Sequence, residues 1–127
     1  MGVWIYLANA FLAYLDNVRN MSYITDRILM GFKDAKSRVL ECLSTGHVLH
    51  EERNSIDIKN LFATGLVSLD EAALIIGRSK GDGYFSTPHH FDNKIDVHVI
   101  KTIFSGQKWY IKWYFLDSDS VFISFHH

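Results

Sequence analysis

Three runs of alternating apolar and polar residues in the last third of the chain constrain its fold more than any other feature. They cover residues 95–99, 108–116 and 121–126. Strict period two predicts β-strands that bury one face and leave the other face available for another role. Turn-forming residues at 105–107 and 117–119 separate the runs. Residues 95–127 are therefore predicted to form three antiparallel strands.

The pairing of the last two predicted strands follows from placing all their large apolar side chains on one face. Pairing Tyr114 with Phe122 and Lys112 with Ser124 achieves this, and it requires a three-residue loop at 117–119. The predicted apolar face then consists of Trp109, Ile111, Trp113, Phe115, Val121, Ile123 and Phe125.

A similar loop at 105–107 predicts the pairing of the first two strands. It sets His98 opposite Tyr114 and Thr102 opposite Tyr110. Imidazole, ammonium and phenol groups on one surface suit acid–base chemistry or the binding of a phosphate backbone. The predicted polar face consists of His98, Thr102, Tyr110, Lys112, Tyr114, Ser124 and His126.

Composition narrows the possible classes of protein. A chain of 127 residues is large enough for one domain with a core. Its net charge of -1 argues against a generally basic nucleic-acid-binding surface, so a basic field must be local. The single cysteine, Cys42, cannot form an internal disulfide, which favours a cytoplasmic location, and it is expected to be a small buried side chain.

The N-terminal residues 3–15 are strongly apolar but too few to cross a bilayer, which takes about 20 residues in a helix. No Lys or Arg precedes them, which argues against a signal peptide. Their helical spacing predicts an amphipathic helix that docks on the body or on a second subunit. We therefore expect an extension at residues 1–20, a single domain at 21–127, and no membrane partner.

Helices are predicted before the strands. One runs over about 25–44 with Gly46 just past its end, and another over about 54–65. A third begins at Leu69, because Ser68 and Glu71 form a capping-box signature, and it runs to Ile75 or Ile76. This order predicts an α+β fold with N-terminal helices packed on a C-terminal twisted antiparallel sheet.

Two shorter segments complete the prediction between the helices and the sheet. Residues 47–50 and 84–91 are possible strands. The glycine-containing loop at 77–83 lacks the Walker pattern, so its glycines predict a turn rather than a phosphate loop.

Seven histidines raise the question of a metal site. Zinc needs three or four converging ligands, and no pair here has the HExxH spacing. We therefore expect neither a metal nor another cofactor. The pairs considered are His47 and His50 with Glu51 and Glu52, His89 with His90, and His126 with His127.

The predicted polar face carries the groups that RNA cleavage by internal transesterification requires. This reaction needs a base for the 2′-OH, a cation for the phosphorane and an acid for the 5′-oxygen. His126 is suited to acid or base work, Lys112 to holding the phosphate charge and Tyr110 to donating to the phosphate. Alternatively, this face packs under the N-terminal helices with Lys112 extending to solvent.

Short motifs from about residue 39 onward resemble the motility quorum-sensing regulator (MqsR) family of toxin endoribonucleases. The matching motifs are Gly46-x-Val48, Ile75-Ile76-Gly77-x-Ser79-x-x-Asp82-x-Tyr84-x-Ser86, Asp96-Val97, Gly106-Gln107, Tyr110-x-Lys112 and Ile123-Ser124-Phe125. The resemblance implies a RelE-like fold from bacterial toxin–antitoxin systems. It also implies metal-independent cleavage of messenger RNA, free or ribosome-bound, and neutralisation by an antitoxin protein.

Tyr110 and Lys112 match residues of the family's active surface. Three other positions differ: Phe85 stands for a lysine, Ile95 for a glutamine and His126 for a lysine. The sequence thus leaves two kinds of protein open, an active nuclease and a relative that only binds.

The leading hypothesis is a metal-independent endoribonuclease that cleaves messenger RNA. Its expected catalytic residues are His126, Tyr110, Lys112 and His98. Its expected substrate-binding residues are His89, His90, Lys108 and Tyr114. The alternatives are a non-catalytic binding protein, dimeric through its first helix, and a membrane-surface role for residues 1–20.

Overall fold

The computed structural model describes residues 31–52 and 54–127. The predicted N-terminal helix, the dimer contact assigned to it and the first residues of the helix predicted at 25–44 lie outside this part of the chain. Residues 35–127 form one compact unit. No helix among the described residues is long and apolar enough to span a membrane.

Helix α1 (Phe32–Thr45) confirms the predicted C-terminal end of the first described helix. Its apolar stripe buries Cys42 and, with it, Ala35, Val39 and Leu43. Gly46 follows with φ of 78°, a left-handed conformation that glycine adopts without a steric penalty. This turn directs the chain into strand β1 (Val48–His50).

Helix α2 (Ile56–Lys59) is a single turn, so the helix predicted over 54–65 is wrong in length. The chain leaves the helix at Asn60, which forms a parallel bridge with Phe125. The Asn60 amide is fully buried, where its Nδ2 lies 3.1 Å from His50 Nδ1 and its Oδ1 accepts from the Ala63 amide at 3.0 Å. These bonds hold the segment against the sheet instead of extending the helix.

Helix α3 (Leu69–Arg78) begins with the predicted capping box. The Glu71 amide donates to Ser68 Oγ at 3.1 Å, and the Ser68 amide donates to Glu71 Oε1 at 3.2 Å. The helix ends at Arg78, beyond the predicted end, and a 3₁₀ turn at Gly81–Gly83 follows. Its buried side chains are Ala72, Ile75 and Ile76.

Four further strands follow along the chain: β2 (Tyr84–Pro88), β3 (Asp96–Phe104), β4 (Gln107–Leu116) and β5 (Asp119–His126). With β1 they form one sheet in the order β1-β5-β4-β3-β2. Strand β1 runs parallel to β5, while the other neighbours are antiparallel. The α+β fold is therefore confirmed, and the sheet is mixed rather than purely antiparallel.

The hairpin of β3 and β4 turns on two residues rather than the predicted three. Ser105 and Gly106 have φ of 51° and 77°, and Phe104 pairs with Gln107. Positive φ at both turn residues is the conformation of a type I′ hairpin turn. His98 consequently pairs with Trp113, so its predicted pairing with Tyr114 is wrong by one residue. A one-residue shift moves every β3 side chain to the opposite face.

The hairpin of β4 and β5 also has a two-residue turn, with Leu116 paired to Asp119. Tyr114 therefore pairs with Val121, and the predicted pairing with Phe122 is wrong. A bulge next to Lys112 adds one residue to β5 and restores the predicted pairing of Lys112 with Ser124.

The bulge redistributes the apolar side chains of β5. Phe122 pairs with Trp113 and Phe125 with Ile111, and all four are fully buried. Val121 lies opposite Tyr114 on the other face, and Ile123 is the bulged residue. The predicted placement of Val121 and Ile123 with the tryptophans is therefore wrong. The core lies between this face of the sheet and the helical segments, where the Phe62 ring contacts both Phe122 and Phe125.

Candidate functional site

Three side chains form a row across the sheet on the face away from the core. Lys101 of β3 pairs with Tyr110 of β4, which pairs with His126 of β5. The Tyr110 and His126 rings stack, with centroids 5.4 Å apart and planes at 26°. Directly paired residues have Cβ atoms about 5 Å apart, so an ammonium, a phenol and an imidazole lie side by side.

This row forms part of a cavity of about 640 Å³, which we call the basic pocket. Its Lys and Arg side chains outnumber its single acidic side chain, Asp82, by four to one. The basic pocket is lined by Arg78, Lys80, Asp82, Gly83, Lys101, Thr102, Ile103, Lys108, Trp109, Tyr110, His126 and His127. The chain as a whole has a net charge of -1, so the basic pocket is a local region of positive charge.

No carboxylate in the described part of the chain forms an ion pair with a cation of the basic pocket. Among residues 31–52 and 54–127, none forms an ion pair with Arg78, Lys80 or Lys108. The Lys101 ammonium lies 5.6 Å from the centre of the Phe85 ring. Unpaired cations around one cavity create a positive potential that attracts anions.

The helical side of the basic pocket is held in place by close contacts. Lys36 Nζ donates to the Ser79 carbonyl at 3.1 Å, and Ser79 Oγ donates to the Ile76 carbonyl at 2.6 Å. Gly83 lies so close to β3 that a Cβ there would collide with the Lys101 carbonyl oxygen. Only glycine fits this approach, which sets the 3₁₀ turn beside Lys101.

A second cavity of about 530 Å³ on the same face is lined by residues that follow β1, by the end of β2 and by the loop after β2. It contains three predicted site residues, Lys112, His89 and His90, together with two carboxylates. We call it the second pocket. It is lined by Glu51, Glu52, Thr87, Pro88, His89, His90, Phe91, Val97, Lys112 and Ile123.

His89 is fixed within the second pocket by both ring nitrogens. Its Nε2 lies 3.6 Å from Glu51 Oε2, and its Nδ1 accepts from the Phe91 amide at 3.0 Å. Its ring also contacts Tyr114 edge to face at 4.8 Å. Burial, together with the hydrogen bond and negative charge of Glu51, raises the pKa of Tyr114. His89 and Tyr114 thus contact each other, and each of them contacts Glu51.

His98 lies in the core and not on the polar face. It is 2% exposed, its ring stacks on Trp113 with centroids 5.5 Å apart, and its Nδ1 lies 2.8 Å from the Tyr84 hydroxyl. Burial lowers the pKa of His98 to about 4, so the imidazole is neutral at neutral pH. The prediction of His98 beside the other site residues is wrong because the turn before β4 has two residues.

The structure divides the predicted site residues into three groups. Lys108, Tyr110 and His126 lie together in the basic pocket. Lys112, His89 and His90 line the second pocket, with Tyr114 in contact with His89. His98 stands alone in the core.

Three cations of the basic pocket were missed from the predicted site. Lys101 would have been placed beside Tyr110 if the Ser105–Gly106 pair had been treated as a two-residue turn. Arg78 and Lys80 have no comparable signal, because their position depends on where α3 ends and on the packing of Gly83.

No group of three or more His, Cys, Asp or Glu side chains in the described part of the chain is arranged to hold a metal ion. The fold and the basic pocket together define a small α+β protein with a candidate anion-binding site. No protein-family model matches the chain, and no curated protein matches it either.

Proposed function

We propose that this protein is a metal-independent endoribonuclease that works in the basic pocket. The observation that carries the proposal is the row of Lys101, Tyr110 and His126 inside a cavity whose cations form no ion pair within the described residues. An imidazole beside an ammonium and a phenol supplies the groups that internal transesterification of RNA requires.

The reaction assigns one role to each side chain of the row. His126 takes the proton from the 2′-OH, and the 2′-oxygen attacks the phosphorus. Lys101 and Lys108 stabilise the charge of the phosphorane. The P–O5′ bond then breaks, and the 5′-oxygen leaves with a proton from the Tyr110 hydroxyl. The products are a 2′,3′-cyclic phosphate and a 5′-OH, and solvent returns the proton from His126 to Tyr110.

The resemblance to the MqsR family supports the same substrate class. Tyr110, which matches the family's active surface, lies in the basic pocket, whereas Lys112 lies in the second pocket. We therefore extend the proposal to a toxin that cleaves messenger RNA in the cytoplasm and is neutralised by an antitoxin protein.

The direct test is cleavage of a mixed-sequence RNA by the purified protein in EDTA. Wild type should cut the RNA and leave 2′,3′-cyclic phosphate ends. His126→Ala should cut at least about a hundredfold more slowly than wild type, because loss of a general base typically lowers the rate by about 10²–10⁴. Tyr110→Ala should also be slow, while Lys59→Gln, which changes an exposed lysine of α2, serves as the matched control.

A His126→Ala protein that is folded and cuts as fast as wild type would remove His126 from the mechanism. If wild type does not cut naked RNA, the same assay is repeated with ribosomes and messenger RNA. Induction of the protein alone in a bacterial host should arrest growth, and His126→Ala should relieve the arrest.

A second candidate function is non-catalytic binding of an anionic partner. The four Lys and Arg side chains of the basic pocket favour it, because they would bind phosphate groups without any proton transfer. Under this alternative, wild type binds RNA tightly but leaves it intact and does not arrest growth.

A further inference from the structure

Arg78 and Lys80 line the basic pocket but have no role in the proposed reaction. They come from the end of α3 and the segment after it, while Lys101 and Lys108 come from β3 and β4. The pocket thus has cations on two sides, one helical and one in the sheet.

The volume of the basic pocket and the charge on its helical side are suited to a second phosphate, bound on the helical side. The cavity of about 640 Å³ is well within the range of pockets that hold small organic ligands, about 300–1,000 Å³. Arg78 and Lys80 carry two positive charges against the single carboxylate of Asp82, and none of the three is ion-paired within the described residues. A guanidinium beside an ammonium is well suited to phosphate oxygens.

Two contacts hold the segment that carries Arg78 and Lys80 in place beside the sheet. Gly83 brings the 3₁₀ turn against the Lys101 carbonyl, and Lys36 holds the Ser79 carbonyl. Cations that come from two different elements around one cavity can bind two phosphates of the same chain at once.

We propose that Arg78 and Lys80 form a second phosphate subsite, so that the basic pocket binds two phosphates of one RNA chain. The scissile phosphate lies at Lys101, Tyr110 and His126, an assignment that rests on the proposed function, and a neighbouring phosphate lies at Arg78 and Lys80. The site therefore selects a nucleotide chain with a phosphate beyond the scissile one.

The test uses 2′-deoxy dinucleotides, which cannot be cleaved by transesterification. Three forms are compared by calorimetry: one without a terminal phosphate, one with a 5′-phosphate and one with a 3′-phosphate. For wild type, one of the two terminal phosphates should strengthen binding about tenfold, the effect of one added charged hydrogen-bonded contact. Arg78→Gln and Lys80→Gln should abolish this gain, and Lys59→Gln should keep it.

A wild-type protein that gains nothing from either terminal phosphate, or binds none of the three forms, would overturn the subsite. Retention of the gain in the Arg78→Gln, Lys80→Gln double variant would overturn it as well. The cleavage assay on RNA is independent of these results. Tighter binding of a phosphorylated dinucleotide without any RNA cleavage would support the subsite and reject the nuclease. RNA cleavage without tighter binding of a phosphorylated dinucleotide would support the nuclease and reject the subsite.

Discussion

At the scale of single residues, burial determines the charge of His98. Its pKa of about 4 is lower than the ordinary value of 6.5 because the ring is desolvated. The charge of Asp96 acts in the opposite direction, and that of Arg38 acts in the same direction as burial. The Tyr84 hydroxyl forms a hydrogen bond of 2.8 Å with Nδ1 of the neutral His98 ring.

This lowered pKa predicts a loss of stability in acid. Below pH 6.5 the unfolded chain binds a proton at His98 that the folded protein excludes, so stability present above pH 6.5 falls as the pH approaches 4. The shift corresponds to about 3 kcal/mol. Denaturant unfolding between pH 7 and pH 4 measures it.

The contribution of His98 is the part of the pH dependence that His98→Gln removes. His127→Gln, which changes an exposed imidazole, is the matched control. Equal pH dependence in wild type and His98→Gln would show that other groups cause the acid sensitivity.

At the scale of elements, the contact between the 3₁₀ turn and β3 determines the shape of the basic pocket. A side chain at position 83 would collide with the Lys101 carbonyl, which belongs to backbone and cannot rotate away. Gly83→Ala should therefore lower the free energy of unfolding by about 1–3 kcal/mol and weaken binding of RNA.

The matched control for this prediction is Gly77→Ala. Gly77 lies inside α3 with open space around its Cβ position, so alanine there should preserve or raise stability. If Gly83→Ala is as stable as Gly77→Ala and binds RNA equally well, the close contact with β3 does not shape the pocket.

The hairpins show which properties of an element its own sequence predicts. Alternation correctly predicted the three C-terminal strands, and the capping residues correctly predicted the start of α3. Turn lengths were predicted wrongly, because Ser-Gly-Gln and Asp-Ser-Asp are compatible with loops of two or three residues. The bulge in β5 has no local signal, since it satisfies the packing of Phe122 and Phe125 in the core.

At the scale of the whole molecule, a net charge of -1 coexists with a cavity that carries four Lys and Arg side chains. The affinity for RNA should therefore fall with salt mainly because of the cations in this cavity, and not because of cations elsewhere on the surface. The slope of log affinity against log salt changes by about 0.7 for each phosphate neutralised on a single strand.

Replacing Lys101 or Lys108 by glutamine should therefore reduce the slope by about 0.7. Lys59→Gln should leave it near the wild-type value, and fluorescence titration of a labelled oligonucleotide at several salt concentrations measures all three. An equal reduction in Lys59→Gln would place RNA binding on a diffuse surface instead of in the basic pocket.

Sequence patterns alone predicted the α+β class, the three C-terminal strands, the capped start of α3 and a polar sheet face that includes Tyr110, Lys112 and His126. These follow from periodicity and capping, which depend on residues close together in the chain. The folded chain alone shows that Lys101 pairs with Tyr110, that His98 lies in the core, and that Arg78 and Lys80 line the basic pocket. Those placements depend on turn length, a bulge and the packing of Gly83 on β3, which contacts between distant residues decide.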